Sequence, residues 1–349
     1  MPALSDPHRR RRAGAVRVIG EGYRQAMAPG SALRPVDELE VCVVVDNVLD
    51  LLSTVPQSVT PELPNLIAAG ATQLSGACSC CAAWGLSLLI RTSVAGERRT
   101  VLFDAGPEGD TVRANARKLG LDFAGVDAVA LSHGHWDHAG GLETALSLTG
   151  HPVPMHVNPG MFESRGFKLP SGKVLPMGDV PAPAALAKAG GEVVNDAAAR
   201  TIVEDRFLLS GEIPRVTPYE KGLPPQVKRG RVGEWEPDPL VMDERFLAVH
   251  VRGHGIVVFS SCSHAGIVNV VTHAAEVFDP IPIHGVIGGL HLSGAANEQW
   301  IDATIDDLAR FELSRIVPAH CTGYRAVHRL IDRFREVVIP SAVGQIHRI

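Results

Sequence analysis

The sequence predicts an α/β domain in which helices cover packed sheets. Three observations point there. Short, β-branched apolar runs alternate with segments of 3.6-residue apolar period. The order along the chain is strand-rich, helix, Pro/Gly-dense stretch, strand-rich, helix, strand, helix. No internal repeat interrupts that order, and 349 residues at 45% hydrophobic suffice for one large domain or two smaller ones.

The elements follow in order. VCVVVD (41–46) reads as a buried strand. LSLLIRT (86–92) and RTVLFDAG (99–106) read as a hairpin. Asp110 is placed to cap a helix running through Leu119. DAVALS (127–132) is a strand, Asp137 onward reads as helix, and VPMHV (153–157) is the next strand. Residues 158–239 are dense in Pro and Gly and predict long loops with a few short strands such as RFLLSG (206–211). Long ordered loops in a compact enzyme usually serve function, so this stretch reads as a lid or substrate-recognition insertion. FLAVHVRGHGIVVFSS (246–261) is a hairpin turning near Gly253–Gly255, with a helix from about 265. IHGVIGG (283–289) and SRIVPAH (314–320) are strands. Ile301, Ile305 and Leu308 mark one helix, and Val327, Leu330, Ile331 and Phe334 mark the last.

Composition excludes several classes. A net charge of −5 and 5% aromatics argue against a general nucleic-acid binder. No apolar run reaches the roughly 18 residues of a membrane span. Arg9–Arg12 invite a targeting reading, but Arg17, Glu21 and Arg24 break up the apolar segment that a signal needs. Residues 1–35 therefore read as an extension, partly disordered or loosely helical. Residues 36–349 read as the main domain, and the chain as cytoplasmic. Of six cysteines, CSCC (78–81) has no second CxxC to complete a structural zinc site.

The densest chemistry lies in LSHGHWDHAGGL (131–142). A strand delivers Ser132, a loop follows, and a helix begins near Asp137. Alternate residues of an extended loop face one way, so His133 and His135 can share one metal. Asp137 and His138, on the turn into the helix, can hold a second. Imidazole plus carboxylate suits zinc, iron or manganese better than calcium. Gly140 and Gly141 let the helix approach the sheet.

HGHWDH resembles the signature of the metallo-β-lactamase superfamily, which implies an αββα sandwich with one or two divalent metals, zinc foremost, at one edge. FDAG (103–106) resembles that superfamily's D-x-G segment, which makes Asp104 a residue that orients ligands through hydrogen bonds. CSHAGIVN (262–269) and PAHCTG (318–323) sit where further ligands are expected, implying His264 and His320. GGLHL (288–292) brings in His291 as a ligand or substrate contact. With VDN (45–47), GEIPR (211–215) and EKG (220–222), these segments resemble the dihydropterin-ribofuranosylaminobenzene 5′-phosphate synthases and related metal-dependent hydrolases over about residues 40–349. Two departures stand out. Residues 158–239 contain no histidine, so His264 takes the place of the usual extra ligand, and no bridging Asp is evident at 262–264. Trp84 stands where the subgroup commonly has a histidine. Cys262 and Cys321 are expected as buried thiols beside the ligands.

A divalent metal lowers the pKa of water from near 16 to about 7, and Asp137 can accept a proton there. The expected activity is hydrolysis of an ester, lactone or phosphodiester. The alternative is transfer to a pterin methylene with release of pyrophosphate, and a further one is a metal-retaining binding or sensing protein. Glu212, Arg215 and Lys221 are candidates to contact a small, phosphorylated or pterin-like substrate.

Overall fold

The computed structural model describes residues 33–349. The arginine run and most of the expected extension lie outside the described residues. Leu33 is already buried in the core, and Arg34 N–H donates to the Asp205 carbonyl at 2.7 Å.

Two sheets lie face to face. The first has eight strands in the order Val59–Thr60, Ile346–Arg348, Glu38–Val45, Ser87–Val94, Glu97–Phe103, Ala128–Ala130, Val153–Val157, Gly191–Asn195. The second has six: Arg200–Ile202, Phe207–Leu209, Leu247–Val251, Gly255–Ser260, Ile283–Gly289, Arg315–Ala319. Strand alternation explains the layers. Val41 and Val43 point into the core shared by both sheets, where they join Leu88, Ile90, Phe103, Phe207, Val249 and Phe259. Cys42 and Val44 point the other way, into a second core beneath helices Gly109–Lys118 and Leu142–Thr149. A third core lies outside the second sheet, under helices Ile267–Phe278, Ile301–Leu308 and Tyr324–Phe334. Helix, sheet, sheet, helix: the αββα sandwich is the observed fold.

Each sheet contains a parallel run. Glu97–Phe103, Ala128–Ala130, Val153–Val157 and Gly191–Asn195 are parallel in the first. Gly255–Ser260, Ile283–Gly289 and Arg315–Ala319 are parallel in the second. Loops at the carboxyl ends of such strands form the usual binding edge of α/β sheets, and both sheets present that edge on the same side of the sandwich, where their loops meet.

Three expectations are corrected. Glu108, not Asp110, caps its helix: its carboxylate accepts from the Asp110 and Thr111 backbone N–H groups, and Asp110 sits inside the first turn. The helix after the histidine motif breaks into Trp136–Ala139 and Leu142–Thr149. The 105–107 segment presses on the break so closely that a Cβ at Gly140 would collide with the Pro107 carbonyl, and one at Gly141 with that of Ala105. The 158–239 stretch holds more strand than expected, although most of its residues still lie in loops and turns. Gly191–Asn195 extends the first sheet, Arg200–Ile202 and Phe207–Leu209 extend the second, and Arg165–Lys168, Val174–Pro176, Gln226–Arg229 and Trp235–Pro237 form a third sheet of four strands. Pro and Gly set the turns of these short strands rather than preventing them.

Candidate metal centre

The 131–142 loop is built around one carboxylate. Asp104 adopts a left-handed conformation (φ 62°) just beyond Glu97–Phe103. Its Oδ1 accepts from Ser132 N–H at 2.7 Å, and its Oδ2 from the Ser132 hydroxyl at 2.7 Å and from His138 Nδ1 at 2.8 Å. Both ends of the histidine loop are thereby tied to one buried residue. Such strained, non-glycine conformations persist only where surroundings over-determine them. Ser263, His291 and His320 share this feature, with φ of 61°, 49° and 46°.

The hydrogen bonds assign the imidazole tautomers. The Ser132 hydroxyl donates to Asp104, so it accepts from His133 Nδ1 at 2.8 Å, which leaves His133 Nε2 as a lone pair. His138 Nδ1–H is spent on Asp104, so its Nε2 also faces inward, 3.2 Å from Cys262 Sγ. Asn47 donates its amide to the His320 carbonyl at 2.8 Å, so its Oδ1 accepts from His320 Nδ1 at 3.0 Å. His320 Nε2 then meets Asp137 Oδ2 at 3.3 Å. Gln226 donates to Asp238, so its Oε1 accepts from His135 Nε2 at 2.5 Å, and His135 presents Nδ1, 3.0 Å from His133 Nε2. Four outward nitrogens are tied down and four lone pairs converge. Outer partners of this kind fix ring orientation and raise ligand basicity.

His264 closes the group. It follows Gly255–Ser260, and Glu244 holds its backbone N–H at 2.8 Å. Its ring centroid lies 4.8 Å from both His133 and His135 and 4.3 Å from His291. Two donor triads result, His133–Cys262–His264 and His138–Cys262–His320, each with donor atoms within 4.8 Å of one another. All five residues are buried.

Charge favours a cation at this point. Burial holds His135 down to about 4, and it holds His133 and His264 low as well. Burial acts the same way on His138, but Asp137 and Asp104 on either side overcome it and hold His138 up to about 9. Asp137 is itself held below the usual carboxylate range: burial pushes it up, and His138 and His320 outweigh that. Neutral His133, His135 and His264 packed beside the charged Asp137 make a cation-seeking cluster.

The residue set fits a metal centre by an independent criterion. Both ring nitrogens of buried His264 lack any hydrogen-bond partner, which is costly unless something else satisfies them. A divalent cation is the natural partner for such a nitrogen amid histidine, thiol and carboxylate donors.

The remaining expectations divide. Lys221 lines a narrow crevice of about 30 Å³ together with His264 and His291, room for about one water. Arg215 turns away, donating to the Ile213 and Leu240 carbonyls, and lines neither this crevice nor the wide cleft below. The loop spends its guanidinium on backbone carbonyls. Glu212 is exposed and also lines neither cavity. The wide cleft, about 480 Å³, is bounded by His320, Asn47, Trp84, Ser293, Tyr324 and His328. Trp84 is 51% exposed and meets His320 edge-on at 5.0 Å. Cys262, expected only as a neighbouring thiol, sits at donor distance.

Sequence reasoning missed the supports within 158–239. Besides Gln226, Arg165 pairs with Asp243 at 2.5 Å, and Asp243 accepts from Gly134 N–H at 2.8 Å. Glu220 accepts from Val268 and Asn269 N–H at the start of the 267–278 helix. No local pattern flags these residues, because their partners are 48 or more positions away. The stretch thus braces the histidine loops.

A family model for the metallo-β-lactamase superfamily matches residues 85–320. The chain belongs to that superfamily. It is 29% identical over 257 residues to a 7,8-dihydropterin-6-methyl-4-(β-D-ribofuranosyl)-aminobenzene-5′-phosphate synthase of Methanocaldococcus jannaschii, covering 72% of this chain and 85% of the relative. It is 29% identical over 248 residues to an uncharacterized protein of the same organism, covering 70% and 86%. Among solved structures, Tm1679, a metal-dependent hydrolase of the β-lactamase superfamily, superposes with a TM-score of 0.64 over 89% of this chain and 98% of that one, at 24% identity. The superfamily and the relatives' names point to an enzyme with a divalent metal centre. Among the described residues no helix is long and apolar enough to cross a membrane.

Proposed function

We propose that the chain is a metal-dependent hydrolase of a small molecule that enters by the Trp84–Tyr324 cleft. The observation that carries this reading is that the cluster borders two spaces of different size, a cleft at His320 and a crevice at His264. The cleft of about 480 Å³ falls within the usual range for ligand pockets. The crevice of about 30 Å³ beside His264 suits water.

His133, His135 and His264 would hold one divalent ion, and Asp137, His138 and His320 a second. When bound, such ions supply Lewis acidity that polarises a carbonyl or phosphoryl oxygen and acidifies water. The chain does the rest. Asp104 and Asn47 keep His138 and His320 in the ligating tautomer. Asp137 Oδ2 accepts a proton within reach of His320. Trp84 and Tyr324 offer flat apolar faces to a ring or acyl chain, and Lys221 offers a positive charge at the crevice beside His264. A panel of lactones, aryl esters and phosphodiesters, assayed with the zinc- and manganese-loaded protein, tests this. Turnover lost in H133A supports the reading, and full metal loading without turnover across the panel rejects it.

A second reading is favoured by a specific pair of observations: the synthase relative aligns over 85% of its length, and the wide cleft has aromatic rims. In that reading the pterin stacks in the cleft, and a carbon or nitrogen of the aminobenzene displaces diphosphate from the pterin methylene. Pyrophosphate released only when both a dihydropterin diphosphate and the ribosyl-aminobenzene phosphate are present would establish it. Its absence would leave hydrolysis.

A further inference from the structure

Cys262 belongs to both donor triads. His133 and His264 complete one triad with its sulfur, and His138 and His320 complete the other. Its Sγ lies 3.2 Å from His138 Nε2, and the residue is 3% exposed. The backbone is shaped to bring it there. A Cβ at Gly289 would collide with the Ser261 carbonyl and stand 2.7 Å from Cys321 Sγ, so only glycine lets the 261–262 segment lie this close to the neighbouring strand. Ser263, left-handed, is pinned by Ser260 at 2.8 Å and by the Gly289 carbonyl at 2.7 Å, so the turn holds Cys262 and His264 inward together.

Charge counting gives the sulfur its role. The cluster holds six imidazoles, His291 included, but a single carboxylate facing inward, Asp137, and that carboxylate lies toward His138 and His320. Asp104 is committed to Ser132 and His138. Two dications bring four positive charges. Asp137 and Asp104 offset two of them, both toward His138, so the charge beside His133 and His264 stays uncompensated in a buried site, and uncompensated buried charge is expensive. The donors nearest His133 and His264 otherwise include no anion. A thiolate between the triads supplies one to both sides, and metal coordination deprotonates a thiol outright.

We infer that Cys262 bridges two metal ions through its sulfur, its thiol proton passing to solvent as the second ion binds. This selects thiophilic dications, zinc, cobalt or ferrous iron, over magnesium, calcium and manganese. It makes Cys262 a structural anchor of the metal pair. Cys321 has another job: its thiol donates to the Cys262 carbonyl at 3.4 Å and belongs to neither triad. The inference rests on the cluster being a metal centre, and it is independent of which reaction occurs there.

The test uses the full-length chain, stripped with chelator and titrated with cobalt(II) while near-ultraviolet absorbance and bound metal are read. The wild type should take up two ions and show thiolate-to-cobalt charge transfer that is still growing during the second equivalent. C262S should lose that band and bind the second ion at least tenfold more weakly. C262D should hold two ions without the band, which guards against a C262S chain that fails to fold. C321S should keep the band. Two bound cobalt ions without thiolate charge transfer overturn the inference, as does a band that survives in C262S or vanishes in C321S. A band complete at one equivalent makes the sulfur a terminal ligand and also overturns the bridge. A chain that takes up no cobalt instead rejects the metal centre itself, and a chain with the band but no turnover rejects only the proposed reaction.

Discussion

The two halves of the molecule deliver their donors differently. In the first half, His133, His135, Asp137 and His138 come from one six-residue turn behind a single strand. In the second, His264, His291 and His320 come one each from the ends of three successive parallel strands. The local set depends on one carboxylate and two collision-prone glycines for its shape. The distributed set depends on sheet register, since the pairings Ser260↔Gly288 and Gly289↔Ala319 place its loops side by side. A local cluster is positioned by short-range hydrogen bonds and fails as a unit. A distributed one is held by a whole core, and its members fail singly.

That contrast can be broken by experiment. The largest effect is expected at H133A, which removes the imidazole nearest the other donors. Turnover should fall to background and metal uptake should drop, with the circular dichroism spectrum unchanged. H320A, from the distributed set, should retain one ion per chain. If H320A empties the site as fully as H133A does, the halves do not differ.

Next in size is Asp104→Asn, which keeps the bulk but removes the charge that orders Ser132 and His138. Outer partners of ligating histidines typically contribute about 10–100-fold in metal affinity. A loss in that range by competition with a chelator would sharpen the local half's dependence on one residue. An unchanged affinity would sink it.

The two cavities supply a third, smaller contrast. W84A should raise KM several-fold with kcat nearly unchanged, because Trp84 edges the wide cleft. K221A, at the narrow crevice, should act less on KM. The reverse ranking would place the substrate on the Lys221 side.

The smallest effect on turnover is expected far from the centre. His347 lies within the first sheet, paired with Val41, and is 0% exposed. Burial, aided by Arg315, pushes it down to about 3. An unfolded His titrates near 6.5. Between those values the unfolded chain binds a proton that the folded chain refuses, so stability declines as pH falls through that window, by up to about 1.4 kcal/mol per pH unit from this group. His347→Leu should flatten the urea-midpoint profile between pH 6 and 4 and leave activity at pH 7.5 alone. An identical acid slope in the variant would show that other groups carry it.

Legibility followed the same division. The first half could be read because its chemistry is contiguous: a β-branched run, then HGHWDH, then GG. His264 and His320 were recognisable from their settings, at the ends of strands and within quotable segments. Gln226, Asp243 and Arg165 gave no signal, because a hydrogen bond to a residue 78 or 91 positions away leaves no local period. Arg215 and Lys221 looked alike as loop cations, yet one is spent on carbonyls and the other faces the crevice.

By itself the sequence determined the layered fold and pointed to most of the candidate donors, because strand alternation, helical period and ligand spacing are local properties of the chain. Only the tertiary structure decided which donors share a neighbour. Cys262 became the common member of two triads because two parallel strands pack closely enough to need glycine at 289. That is a distance between backbones, and distances across a sheet are set by packing rather than by sequence position.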